Sequence, residues 1–522
     1  MNTCTKICIL MSLFFFTSCK DWLDLKPDTD ATEGQIFSTG EGYRSVLNGL
    51  YKTMGSKGLY GRELSFGMVD CLSQQYDMSS ETMDTEDYIA ADAYDFDEPY
   101  LAEIITTVWK SAFNIVANAN NLIQNIEKAS PELFSQGEVE RKMIMGEAYA
   151  CRALMHFDML RLYAPAPVND DHQAYVPYVE TYPNIQANGL NVEAFLEKVI
   201  QDFEKARGLV MEYDTTAFAK SAMLSGRSRF YNEFEYGTET YNKTGLDDFM
   251  LGRGYRLNYY SITALLARVY QYAGKYTEAK EMAEEVLGFQ HEGPYSTFHF
   301  FYDNFSGVST SNWNSKSDLR LVNSLIFAVY NAKAFDELQL SAFFNPDFDS
   351  YWGDVPNMFV VNQKNQKIFN TTGGVDESRD DYRYTRMIFT VEAGKFPLSG
   401  KWYYSSDEKT RDKNVTILPV IRSSEMQYII AESYAREGNF SEAQKILEAM
   451  RSARGCIEPI QVADWKDFVA ELIQDARREW ISEGQLFYLY KRLDADVNFG
   501  KNVVRPLKRN EYLLPIPDDQ SL

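Results

Sequence analysis

Apolar residues recur every three to four positions along several long stretches, the spacing that gathers them on one face of an α-helix. Val108, Ala112, Ile115, Val116, Ala119, Leu122, Ile123 and Ile126 fall at this spacing and predict a helix over Ile104–Lys128. Glu138–Tyr163 reads as a second long helix, stopped by Pro165 and Pro167, since proline cannot continue a helix. Asn191–Val210 and Trp465–Arg492 complete the set, and the body is predicted to be mainly α.

The helical pattern also repeats. Ala267, Tyr270, Gly274, Tyr276, Glu278 and Ala279 recur at one constant displacement as Ala431, Tyr434, Gly438, Phe440, Glu442 and Ala443. The shared string A-x-x-Y-x-x-x-G-x-[YF]-x-E-A describes a helix ending at a glycine, a short turn and a second helix. Small alanines let the two helices approach, and the aromatics fill the gap between them. This resembles the tetratricopeptide helix–turn–helix unit. Two stretches break the helical pattern. Gly58–Pro99 is acidic and aromatic, and Gly288–Pro419 is rich in Asn, Ser, Gly, Asp and aromatics. Long aperiodic connections in a folded domain usually serve function, so both are expected to carry the binding surface.

The first residues form a separate unit. Lys6 precedes an apolar run of Ile7, Ile9, Leu10, Met11, Leu13, Phe14, Phe15 and Phe16, then small Thr17 and Ser18, then Cys19. A charged start, a short apolar core and a small-residue exit describe an export signal. With a cysteine at the exit it resembles a bacterial lipoprotein signal, although Phe16 stands where such boxes usually carry Leu. Cys19 is then the lipidated mature N-terminus, and polar Lys20–Asp30 is its tether. An ordinary secretory signal with a chance cysteine is the alternative.

Composition narrows the function classes. The formal net charge of −23 argues against nucleic acid, whose phosphates demand a basic face. It argues equally against broad electrostatic attachment to anionic lipid. Aromatics make up 14% of the chain, suiting surfaces that stack on ring-shaped ligands. Beyond the signal, Cys71, Cys151 and Cys456 are isolated, which is neither a disulfide framework nor a zinc site.

Tests for chemistry come out negative. His156 lies in an apolar helix and reads as a core residue, and His291-Glu292 lacks the second histidine of a zincin. Asp494, Asp496 and Asn498 open like a calcium loop, but Gly500 comes one place late and Arg505 occupies the place of the bidentate Glu. The cluster of Asp84, Glu86, Asp87, Asp92, Asp95, Asp97 and Glu98 reads as a solvated acidic loop rather than a metal site. Gly252-x-Gly254 lacks a third glycine, and neither a P-loop nor G-x-S-x-G occurs. No catalytic residue, metal or cofactor is expected.

At the C-terminal end the residues resemble a known family. Ile421–Asn439 (IRSSEMQYIIAESYAREGN), Ser441–Gly455 (SEAQKILEAMRSARG), Arg477–Asp494 (RREWISEGQLFYLYKRLD) and Tyr512–Gln520 (YLLPIPDDQ) are similar to the closing signatures of the SusD/RagB family. Cys19–Leu25 and Gly40–Lys52 (GEGYRSVLNGLYK) resemble its lipidated start and first helix. Gln485, Leu486, Tyr488 and Tyr490 depart from the family pattern at positions expected to serve helix packing and salt bridging. The resemblance implies a tetratricopeptide-like scaffold with long loop-rich insertions. After a signal at 1–18, residues 19–522 form one SusD-like domain. It has a helical part at about 40–287, a loop-rich middle at about 288–419 and a helical part at about 420–522.

It further implies a non-enzymatic outer-membrane lipoprotein facing the cell exterior. Such a protein binds a glycan or other nutrient and delivers it to a SusC-like TonB-dependent transporter. A sugar ring presents an apolar face that an indole or phenol can cover, while Asp and Asn bond its hydroxyls. On that basis the ligand residues are expected to be Tyr76, Asp77 and Tyr94 from the first aperiodic stretch, and Tyr302, Trp313, Tyr351 and Trp352 from the second. Trp109, Trp465 and Trp480 lie on helical faces and are read as core. A glycoside-active enzyme with a carboxylate pair and a surface adhesion scaffold are the competing readings.

Overall fold

Long amphipathic stretches with polar caps become the long helices of a computed structural model. It describes residues 33–184, 189–223, 226–230, 248–250, 252–292, 297–303, 305, 308, 319–348, 357–405, 415–500 and 503–517. Cys19, Trp313, Tyr351 and Trp352 lie outside the described residues. The principal helices are α1 (Gly40–Met54), α2 (Glu86–Ala93), α3 (Pro99–Ile126), α4 (Gly137–Tyr163), α5 (Val192–Asp214), α6 (Tyr259–Tyr272) and α7 (Tyr276–Gly288), followed by α8 (Ser423–Arg436), α9 (Phe440–Ala453), α10 (Trp465–Glu479) and α11 (Leu486–Leu493). The body is mainly α, as the periodicity requires.

Side-chain caps fix where several helices begin, because the first N–H groups of a helix lack internal partners. Glu98 accepts from the Leu101 N–H at 2.7 Å ahead of Pro99, and Asn191 accepts from Ala194 at 2.9 Å. Asn258 and Ser261 exchange side chain-to-backbone bonds at the start of α6. α4 is buried almost all round from Met143 to Tyr163, the property of a central helix, and it packs between α3 and α5.

The repeat detected in the sequence is a pair of helix hairpins. Gly274 and Gly438 both turn the chain in the left-handed region, at φ of +75° and +80°, a conformation that glycine adopts without a Cβ penalty. α6 packs on α7 and α8 on α9, and α7 then packs on α8. The two hairpins therefore stack directly although residues 289–422 intervene. Among the described residues no helix is long and apolar enough to cross a membrane.

Two expectations are corrected. Trp465–Arg492 is two helices, α10 and α11, separated at Trp480–Gln485, where Ser482 and Gly484 have φ of +61° and +67°. The chain leaves the helix there so that the Gly484 N–H can donate to Asp70 Oδ1 at 3.0 Å. Residues 59–76 are almost wholly buried, so the first part of the Gly58–Pro99 stretch is core rather than surface. Its aperiodicity reflects irregular turns whose polar groups are satisfied internally. Arg62, for example, donates to Glu63 at 2.7 Å and to Gln339 at 2.6 Å.

The aperiodic middle is folded as short antiparallel pairs. β1 (Leu325–Tyr330) pairs with β4 (Ile417–Arg422), and β2 (Ile388–Val391) forms a hairpin with β3 (Phe396–Ser399) in the register Ile388↔Ser399 to Val391↔Phe396.

Candidate functional site

The β2–β3 hairpin organises a second, smaller hydrophobic core. Phe305, Val308, Leu319, Leu321, Met358 and Tyr403 pack around Phe389, Val391, Phe396 and Leu398, all buried. These residues are the roots of the segments that carry the expected aromatics. Val308 and Leu319 flank residues 309–318, which contain Trp313. Phe348, whose ring centroid lies 6.2 Å from that of Phe396, precedes Tyr351 and Trp352, and Met358 follows them. Arg320 holds one root: its guanidinium lies 4.4 Å over the Trp402 ring and its Nε donates to the Ile417 carbonyl at 3.1 Å.

The first aperiodic stretch is stitched to the same frame. Asp77 N donates to the Val360 carbonyl at 2.8 Å, Met358 N to the Thr82 carbonyl at 2.9 Å, and Thr85 Oγ1 to Asn357 Oδ1 at 3.2 Å. Asp77 is thus brought beside the root of the Tyr351–Trp352 segment. It is half-buried, and its charge adds to burial in pushing Asp92 up to about 7. Tyr302, 42% exposed, donates its backbone N–H to the Asn323 carbonyl at 3.1 Å, close to the other root.

Tyr76 and Tyr94 are placed differently. Tyr76 is only 2% exposed; its ring packs 4.8 Å from Phe359 and its hydroxyl lies 2.8 Å from Ser482 Oγ. Tyr94 is half-buried against Phe96 and Phe499, with its hydroxyl donated to the Leu72 carbonyl at 2.6 Å.

Beneath the frame lies a buried ion network that the sequence reading missed. Glu479, at the end of α10, accepts from Arg454 at 2.7 Å, Arg422 at 2.9 Å and Arg383 at 3.3 Å. Arg383 also pairs with Asp381 and Asp475 at 2.9 Å each, and Arg454 with Asp303 at 2.9 Å, next to Tyr302. Arg478 and Arg451 share Glu377, while Arg422 and Lys401 share Glu483. The signal was present in the C-terminal motifs, whose Arg422, Arg451, Arg454, Arg478 and Glu479 all join this network. What the strings lack are Asp303, Glu377, Asp381, Arg383 and Lys401, which complete the network from outside the motifs.

Asp70 sits below Tyr76, accepting from its hydroxyl at 3.2 Å and from Gly484 N. Complete burial pushes its carboxyl up to about 7 despite these bonds. The folded protein therefore holds a proton that the unfolded chain releases near pH 4. This group's contribution to stability is fully present below that pH and declines as pH rises to about 7. Asp70→Asn keeps an acceptor for Gly484 and removes the titration. Its melting temperature relative to wild type is expected to climb between pH 4 and pH 8; a difference that stays flat with pH would exclude Asp70 as the titrating group.

Other candidates resolve into structure. His156 is fully buried, accepts from Val179 N at 3.0 Å and stacks 4.0 Å from Tyr178. Trp109 and Trp480 are buried, and Trp465 lies half-buried 3.7 Å beneath the Arg436 guanidinium. Cys71, Cys151 and Cys456 are buried free thiols. Among the described residues no group of three or more His, Cys, Asp or Glu is arranged to hold a metal ion.

Comparison with known proteins bears out the resemblance read from the motifs. A SusD-like family model, described as "Starch-binding associating with outer membrane", matches residues 21–232. A SusD-like protein of Formosa agariphila is 22% identical over 503 residues, covering 91% of this chain and 88% of its own. A second from the same organism is 20% identical over 543 residues, covering 98% and 96%. Among solved structures, a SusD superfamily protein from Bacteroides thetaiotaomicron superposes with a TM-score of 0.64 at 19% identity, covering 89% of this chain and 91% of its own. A SusD-like carbohydrate binding protein from Bacteroides vulgatus gives 0.63 at 17% identity, covering 92% and 95%. The chain has the SusD-like fold.

Proposed function

We propose that this SusD-like chain is a nutrient-capture lipoprotein of the outer membrane. It is anchored through Cys19, faces the cell exterior, and binds a glycan or oligosaccharide for delivery to a SusC-like TonB-dependent transporter. It catalyses no reaction on that ligand. The observation that supports the reading is the frame: residues flanking the segments that contain Trp313, Tyr351 and Trp352 pack in one small core, and Asp77 bonds to Val360 of that core. An aromatic ring covers the apolar face of a sugar, and a carboxylate accepts from its hydroxyls. A likeness to a solved protein described as carbohydrate binding supports the ligand class.

The ligand and its site are tested together on a glycan array with wild type and Trp313→Ala. Wild type is expected to bind one glycan class, and the variant at least about tenfold more weakly, from the loss of one to two stacking contacts. Equal binding by both proteins removes Trp313 from the site. Anchoring and partnership are tested by detergent extraction of outer membranes. Wild type is expected to fractionate with membranes and to co-purify with a TonB-dependent channel, and Cys19→Ala to appear folded in the soluble fraction. Membrane retention of that variant would overturn the lipid anchor, and a wild-type protein that purifies alone would overturn the partnership.

A further inference from the structure

Four buried polar atoms in the helical body lack any hydrogen-bond partner, and their side chains surround one cavity. They are Arg161 Nε, Arg268 Nη1, Tyr272 Oη and Tyr488 Oη. None of the four residues is more than 4% exposed. They come from three helices, α4, α6 and α11, and the cavity between them measures about 40 Å³.

Both carboxylates around this space already accept on each oxygen. Glu425 receives Arg268 at 2.6 and 2.7 Å on its two oxygens. Glu432 receives Arg492 at 2.6 Å on each oxygen and Gln271 at 2.9 Å. Arg161 is paired with Asp158, so the charges of the wall balance. What is left unspent on these lining residues is two guanidinium nitrogens and two phenols. Burial raises both phenols above the usual tyrosine range, so their protons stay on.

We propose that this cavity is a binding site for a monovalent inorganic anion of halide size. A halide accepts several hydrogen bonds and brings no hydrogens of its own, which matches a wall of orphan donors. Water is the competing occupant, since the phenol oxygens can accept its hydrogens, and the soak described below distinguishes the two. The space exceeds the roughly 10–15 Å³ that a single water needs, leaving room for one larger ion. Bound there, the anion ties the central helix α4 to the first repeat helix and to α11. Two of the residues that depart from the family pattern take part in the wall: Tyr488 supplies a donor and Gln485 accepts from Arg161 Nη1 at 3.3 Å.

Crystals of the full folded body soaked in sodium bromide test the site directly. A bromide anomalous peak inside the cavity is the expected result. Ordered water there without anomalous signal would overturn the proposal. In solution, melting temperature is compared in sodium bromide, chloride and gluconate at equal ionic strength. Wild type is expected to melt higher in the two halides, and the Tyr272→Phe, Tyr488→Phe double variant to lose most of that increment while keeping its gluconate value close to wild type. An undiminished increment in the double variant would also overturn it. If that variant does not fold, the wild-type soak decides alone.

Discussion

Glu479→Ala is expected to remove a large part of the folding stability of the chain. Burial by itself would raise the Glu479 carboxyl, but Arg454, Arg422 and Arg383 converge on it and hold it well below the usual carboxylate range. Remove the carboxylate and three guanidinium groups remain inside the protein without their shared counter-charge. Breaking a buried pair in this way costs about 3–5 kcal/mol, and here one residue serves three partners. Domains of ordinary stability have only about 5–15 kcal/mol in reserve. Soluble yield and a urea melt measure the effect. Glu479→Gln, which keeps the shape and the acceptor oxygen, is expected to fall between alanine and wild type. Because the folded pKa is depressed, the stabilisation from Glu479 is present above about pH 4.5 and lost as pH falls toward the folded value. An alanine variant melting within about 1 kcal/mol of wild type would show that the network is not a stabilising unit.

Gly484→Ala has the second largest expected effect. Gly484 has φ of +67°, and a Cβ placed there meets the Leu64 carbonyl oxygen at 2.1 Å, the Leu64 carbonyl carbon at 2.8 Å and Ser65 Cα at 2.9 Å. All three are backbone atoms of the buried 59–76 segment, so nothing flexible can yield. The segment must separate from the α10–α11 turn, and the Gly484 N–H bond to Asp70 goes with it. Gly274→Ala is the control. It has a comparable φ of +75° but nothing within 4 Å of the added carbon, so it carries only the backbone penalty of roughly 1–2 kcal/mol. Thermal melts of the two variants separate steric contact from backbone strain. Equal losses would mean that the close approach to Leu64 carries no energy.

The two glycines also mark how far the sequence could be read. Gly274 was legible, because a helix-ending glycine between aromatics has a local signature and recurs with its partners at Gly438. Gly484 was not, because its reason lies 420 residues earlier at Leu64. The long helices followed the same rule. Periodicity placed α3, α4 and α5 within a few residues, and failed at Trp480–Gln485, where a tertiary contact overrides a continuous apolar pattern. The Gly58–Pro99 stretch misled for a related reason. Irregular turns have no period, so a buried irregular segment and an exposed loop look alike in one dimension.

For the candidate site, the aromatic loops could be chosen by composition, but burial could not. Tyr76 follows polar Ser73, Gln74 and Gln75 and Tyr302 follows Phe300 and Phe301, yet it is Tyr76 that is closed under Phe359 and Tyr302 that is open to solvent. The motif arginines were visible as a signature without a visible purpose. Their carboxylates are spread from Asp303 to Glu483, and a long-range pair leaves no local pattern.

By itself, then, the sequence determined the helical scaffold, the repeated hairpin and the likeness to SusD-like proteins, since helix periodicity and capping act within a few residues. Only the tertiary structure decided which aromatics are covered, where the buried charges find partners, and that unpaired donors from three helices meet around one cavity. Each of those depends on which distant segments come into contact.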